Sequence, residues 1–125
     1  LSTAPLVNAF ARQISAQDLL AGWAVPHGSY VMGAKTPYEY LRKMQMYTTR
    51  DISARLTQDY LLLAGSEDHF IPVKQFYQQI AALINVRSLT ARLFTRAEQA
   101  QNHCQIGNIA LAIREITSWL ERTQP

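Results

Sequence analysis

The sequence predicts an α/β chain in which two parallel strands with flanking helices follow a helical segment. Three observations carry this reading. A short continuous apolar run, Tyr60 to Ala64, stops at Gly65, as a strand buried on both faces does. From about Arg55 onward the order reads strand, loop, helix, strand, loop, helix, which is the repeating unit of a helix-covered parallel sheet. Before that point the spacing of apolar residues is helical and no stretch reads as a strand. The expected division is therefore residues 1–54 as a helical segment and residues 55–125 as strands and helices.

In the first segment, Ser15 and Asp18 form an S-x-x-D cap ahead of Leu19, Leu20 and Trp23. Pro26, Gly28 and Gly33 then predict a loop from Pro26 to Lys35. Thr36-Pro37-Tyr38-Glu39 is the clearest helix start. Thr36 can cap the Glu39 N–H, Glu39 can reach back to Thr36, and Pro37 loses nothing at the first helical position. Tyr40, Leu41, Met44 and Tyr47 follow at helical spacing.

In the second segment, Pro72 opens a helix with apolar residues at Val73, Phe76, Tyr77, Ile80 and Ile84. Ser88 to Phe94 reads as the second strand, with Leu89, Ala91 and Leu93 on one face. A polar loop runs from Thr95 to Gln105. The last helix carries Ile109, Ile113, Ile116 and Leu120 on one stripe, with Ala112 and Trp119 beside it. Two strands are too few to bury a core, so earlier strands of the sheet are expected outside these residues. A first residue of Leu1 fits a piece of a longer chain.

Composition excludes several classes. Nearly half of the 125 residues are hydrophobic and 17% are charged, which is a folded composition rather than a disordered one. The net charge of +3 comes from scattered basic residues and not from a stripe interleaved with aromatics, so no nucleic-acid partner is expected. No window approaches a membrane span, and no membrane partner is expected. The single cysteine, Cys104, allows no internal disulfide, which favours a cytoplasmic setting.

Function in open α/β sheets sits in the loops at the carboxyl ends of the strands. The first such loop is Gly65-Ser66-Glu67-Asp68-His69-Phe70-Ile71-Pro72, and the second includes Asn102-His103-Cys104-Gln105. A carboxylate follows one strand and a histidine the next. Imidazole takes a proton from a hydroxyl nucleophile near neutral pH, and a carboxylate on its other nitrogen fixes its tautomer. Asp68 could instead simply cap the helix opened by Pro72.

The string L-L-L-A-G-S-E-D-H-F-I-P resembles the penultimate strand and acid turn, G-x-x-D-x-x-(V/I)-P, of the α/β-hydrolase family. N-H-C-Q-I-G-N resembles that family's histidine loop. The resemblance covers about Arg55 to Leu120. It implies the C-terminal portion of an α/β-hydrolase fold, with Asp68 as catalytic acid and His103 as catalytic base. It makes residues 1–54 a helical cap-like segment, as in esterase, dienelactone-hydrolase-like or peptidase-like members. The implied activity of the intact enzyme is hydrolysis of an ester, amide or related acyl bond in a small-molecule substrate, with no cofactor and no metal.

The family's G-x-S-x-G is absent. None of Ser2, Ser15, Ser29, Ser53, Ser66, Ser88 and Ser118 stands in such an elbow, so the nucleophile is expected upstream of this chain, and the chain alone is expected to be inactive. Glu67 and His69 are expected to be solvated loop residues. Cys104 is expected to be a small buried hydrophobe and not a nucleophile, and His69, His103 and Cys104 lack the spacing of a zinc site. Trp23, Tyr30 and Met32, with Tyr40, Met44 and Met46, are candidates to line an acyl or aromatic substrate pocket, the alternative being that they are core residues; His27 in the same loop has no assignable role. The rival expectation is a non-catalytic interaction module that pairs through its exposed sheet edge, with the missing N-terminal half or a second copy as partner.

Overall fold

The computed structural model describes residues 3–123; Ser2, among the serines above, lies outside them. The chain forms two compact units, dividing between Thr48 and Thr49. The turn Thr49–Arg55 belongs to the second unit because Ser53 is buried there. Its Oγ donates to the Thr49 carbonyl at 2.8 Å and accepts from Gln79 Nε2 at 3.0 Å.

The first unit is three helices: α1 (Ala4–Gln17), α2 (Leu19–Val31) and α3 (Pro37–Met44). Asp18 is itself the N-cap of α2, accepting from the Ala21 N–H at 2.7 Å, while Ser15 lies in α1 and donates to the Ala21 carbonyl. The expected S-x-x-D cap is thus two separate links across one sharp junction. The expected loop from Pro26 to Lys35 is also corrected, since α2 runs through Pro26 and Gly28. Its glycines serve helix crossings. A β-carbon on Gly22 would stand 2.7 Å from the Ser15 carbonyl oxygen, and one on Gly28 would stand 2.5 Å from the Tyr40 ring. The break comes at Gly33, whose φ of +57° suits glycine. Thr36 caps Glu39 as expected, but Glu39 reaches back to the Lys35 N–H instead of to Thr36. Lys43 Nζ donates to the Met32 and Gly33 carbonyls, using a cation to satisfy the open carbonyls at the end of α2.

The second unit is mixed α/β. Strands β1 (Asp59–Gly65) and β2 (Ser88–Phe94) pair in parallel, with Asp59 opposite Ser88 and Gly65 opposite Phe94. Helices α4 (Val73–Ala82) and α5 (Ile109–Thr123) follow β1 and β2 respectively, and both contact β1. The residue fully buried on β2 is Phe94, on the face opposite Leu89, Ala91 and Leu93. Phe94 forms a small core with Ala100 and Ala112, against which Leu63 and Leu111 pack. The Arg92 guanidinium lies 5.2 Å from the Phe94 ring centre.

The stripe Ile109, Ile113, Ile116 and Leu120 points outward, 39–54% exposed, and Ala112 is the buried side of α5. On α4, Phe76 is buried while Tyr77 is exposed. At the opposite end of the sheet from the loops, Arg87 forks onto Asp59, and Ser88 Oγ donates to the same carboxylate. These bonds from Arg87 and Ser88 hold the Asp59 carboxyl down to about 2.

Candidate active site

Parallel pairing puts the carboxyl ends of β1 and β2 side by side, so the two loops that follow share one edge. Three features join them. The Ser66 N–H donates to the Phe94 carbonyl at 2.9 Å, and the Glu67 N–H donates to the Gln101 carbonyl at 2.9 Å. Glu67 and Arg96 form a two-pronged ion pair, with Nε to Oε1 at 3.0 Å. That bond from Arg96 lowers the Glu67 carboxyl below the ordinary range. Gly65 makes the approach possible, since a β-carbon there would stand 2.3 Å from the Gln101 carbonyl oxygen and 2.7 Å from that of Asn102.

Within this junction His103 Nδ1 stands 2.9 Å from Asp68 Oδ2. The Asp68 side chain is 10% exposed and that of His103 34%. The other carboxylate oxygen, Oδ1, accepts from the Phe70 N–H at 2.8 Å and the Ile71 N–H at 3.0 Å, an Asx-type turn that leads the chain to Pro72 and α4. Capping and partnering thus coexist on one carboxylate, each oxygen with its own task. Burial pushes the Asp68 carboxyl up, but the Ile71 N–H, the His103 imidazole and the Phe70 N–H outweigh it and leave it below the ordinary range. The imidazole nitrogen Nε2 has no hydrogen-bond partner among the described residues.

The histidine arrives through a bent path. Residues Arg96–Glu98 make one 3₁₀ turn, closed by Glu98 onto the Thr95 N–H, and His103–Asn108 make a second. Gln99, Cys104 and Gln105 all have positive φ, of 58°, 53° and 53°. Asn108 finishes the turn, donating to the Glu98 carbonyl and accepting from the Leu111 N–H at the start of α5.

Cys104 is exposed, contrary to the buried position expected of it, and its backbone is left-handed, with φ of 53°. His69 is exposed and lies against Phe70, and Glu67 is bound by Arg96 and not merely solvated. Among the described residues no group of three His, Cys, Asp or Glu side chains is spaced to hold a metal ion.

Trp23, Tyr30 and Met32 belong to the first unit. Trp23 stacks on His27 with ring centres 4.9 Å apart, and it lines a surface cavity of about 540 Å³ with Asp18, Leu19 and Gly22. Tyr30 is 86% exposed, and Met32 sits half-buried at the end of α2 with its carbonyl on Lys43. Neither Tyr30 nor Met32 lines that cavity, so these three side chains do not share it.

The sequence reading missed Phe70, Arg96 and Gln101. The first could have been found from the acid turn itself, where an Asx turn always recruits the N–H two residues on. Arg96 and Gln101 carried no such signal, because their roles depend on register between the two strands.

No helix among the described residues is long and apolar enough to cross a membrane. No protein-family model, curated protein or solved structure matches the chain.

Proposed function

We propose that Asp68 and His103 are the acid and base of a serine hydrolase of α/β-hydrolase type, acting on a carboxylic ester, amide or related acyl bond of a small molecule. The observation that carries this is the 2.9 Å approach of His103 Nδ1 to Asp68 Oδ2 across two loops at the carboxyl ends of adjacent parallel strands. Asp68 holds the proton on Nδ1 and so leaves Nε2 as the basic nitrogen. Nε2 would take the proton of a serine hydroxyl as it attacks the acyl carbon, then deliver that proton to the leaving group. The serine and the oxyanion-binding N–H groups come from sequence beyond these 125 residues, since no G-x-S-x-G occurs within them. No cofactor or metal enters this chemistry, and the lone thiol suits a cytoplasmic enzyme.

The test is hydrolysis of p-nitrophenyl esters by the gene product that includes the coding sequence upstream of Leu1. Asp68→Asn should lower kcat by about 10⁴-fold and His103→Ala by at least as much. Unchanged turnover in both variants would sink the proposal.

A second reading is favoured by the sheet itself. Among the described residues β1 pairs only with β2, which leaves open edges, and α5 carries an exposed apolar stripe. On this reading the chain is an interaction module that joins another sheet, either a second copy or the rest of its own protein. Sedimentation of the isolated chain as a stable monomer would count against it.

A further inference from the structure

Phe70 acts on the acid and the base at once. Its N–H donates to Asp68 Oδ1 at 2.8 Å, while its ring meets the His103 imidazole edge-on, with centres 4.7 Å apart and planes at 70°. His69 lies against the same Phe70 ring with centres 4.2 Å apart, and 6.0 Å from His103.

A lone hydrogen bond at Nδ1 does not fix an imidazole. The ring can swing about that contact, or turn over and bring its carbon edge to the carboxylate. Proton transfer through Nε2 needs both the Nδ1 bond and a fixed ring plane. An aromatic ring at edge-on distance supplies the second restraint, because the edge-to-face attraction between the two rings favours one mutual orientation, which an aliphatic side chain of similar bulk does not reproduce. Phe70 is well placed for this and poorly placed to support the core, since 43% of it is exposed. Its backbone is locked by the turn that holds Asp68, so the restraint on the base is registered to the acid by a single residue.

We propose that Phe70 is a positioning residue for His103, its ring holding the imidazole in the one orientation that keeps Nδ1 on Asp68 and Nε2 free. The proposal rests on reading Asp68 and His103 as an acid–base pair, and its test does not depend on hydrolysis. Free neutral imidazole favours the proton on Nε2, whereas one that donates to a carboxylate carries it on Nδ1. Long-range ¹H–¹⁵N correlation spectra of the chain, recorded over a pH series and read where the imidazole signals no longer change with rising pH, report the ratio of the two forms.

The wild type should show mainly the Nδ1–H form. Phe70→Ala should move the ratio toward Nε2–H on the order of fivefold, with the circular dichroism of the folded chain retained, and Phe70→Tyr should restore the wild-type ratio. A wild-type ratio in Phe70→Ala, with Asp68→Ala abolishing the Nδ1–H form, overturns the role of Phe70 and leaves the acid–base pair standing. An Nε2–H form in the wild type that Asp68→Ala does not move overturns both. Phe70→Leu keeps the bulk without the ring edge and covers the case in which the alanine variant does not fold. It should shift the ratio the same way, and a wild-type ratio in the folded leucine variant overturns the proposal equally.

Discussion

Replacing Gly65 with alanine should damage the site more than the fold. The added β-carbon would stand 2.3 Å from the Gln101 carbonyl oxygen and 2.7 Å from that of Asn102. Both are backbone atoms, so no side chain can swing aside. A carbon–oxygen contact relaxes at roughly 3.3–3.6 Å, so the histidine loop must retreat by about 1 Å. Alanine gains about 0.4–1 kcal/mol by stiffening the unfolded chain. Overpacking against a fixed backbone costs about 1–3 kcal/mol, which leaves a net loss of about 0–2.6 kcal/mol, centred near 1.3 kcal/mol. Unfolding in urea, followed by circular dichroism, measures this, and the thermal midpoint should fall by about 4–8 °C per kcal/mol.

The same retreat takes the 2.9 Å bond between His103 Nδ1 and Asp68 Oδ2 beyond hydrogen-bond range and loosens the Glu67 N–H from Gln101. On the proposed hydrolase reading, a misplacement of that size should cost about a hundredfold in kcat. A Gly65→Ala variant as stable and as active as the wild type would refute the steric reasoning. A variant that loses stability but keeps activity would refute the link between this contact and the site.

Phe94 is fully buried among Ala100, Ala112, Leu63 and Leu111, so Phe94→Ala should cost about 3–5 kcal/mol. Against the usual 5–15 kcal/mol of a domain, that should drop the urea midpoint sharply, and a change under about 1 kcal/mol would mean the core lies elsewhere. Asp59, held down to about 2 by Arg87 and Ser88, has a folded value below its unfolded 3.8. Its contribution is therefore fully present above the unfolded value and is lost as pH falls through the folded one. Stability measured between pH 5 and 2 should decline more steeply in the wild type than in Arg87→Ala, and parallel curves would show that the pair contributes nothing.

The strands were the most legible part of the sequence. Ser88–Phe94 falls where its residues place it, and Tyr60 to Ala64 gains only Asp59 and Gly65, because a short apolar run that stops at glycine favours a strand; the burial on both faces expected of that run is not met, since Tyr60 to Ala64 are only half-buried. The acid and histidine loops follow from those strands, and parallel register then brings Asp68 to His103. What misled was punctuation. Pro26 and Gly28 read as loop residues, yet α2 passes through both, since Gly28 is small to admit the Tyr40 ring and not to turn the chain. Face assignment on β2 also depended on what lies above each face. Leu89, Ala91 and Leu93 share one face as the sequence places them, but Phe94 on the other face is the residue with no exposure. Ion pairs such as Glu67–Arg96 link residues 29 apart and need the register before they can be seen.

The backbone around His103 gives a further reason to centre function there. Left-handed conformation costs a non-glycine residue about 1–2 kcal/mol, and Gln99, Cys104 and Gln105 all adopt it within one connection. Such conformations persist only where the surroundings fix them. Here the fixing groups are identifiable. Ala100 is fully buried, Asn108 holds the Glu98 carbonyl, Gln101 accepts the Glu67 N–H, and Gly107 lets the Gln99 carbonyl approach where a β-carbon would be 2.0 Å away. A connection needed only to join β2 to α5 could take a relaxed path. His103 lies within this strained connection and meets Asp68 at 2.9 Å, and the burial and hydrogen bonds named here hold the connection that carries it.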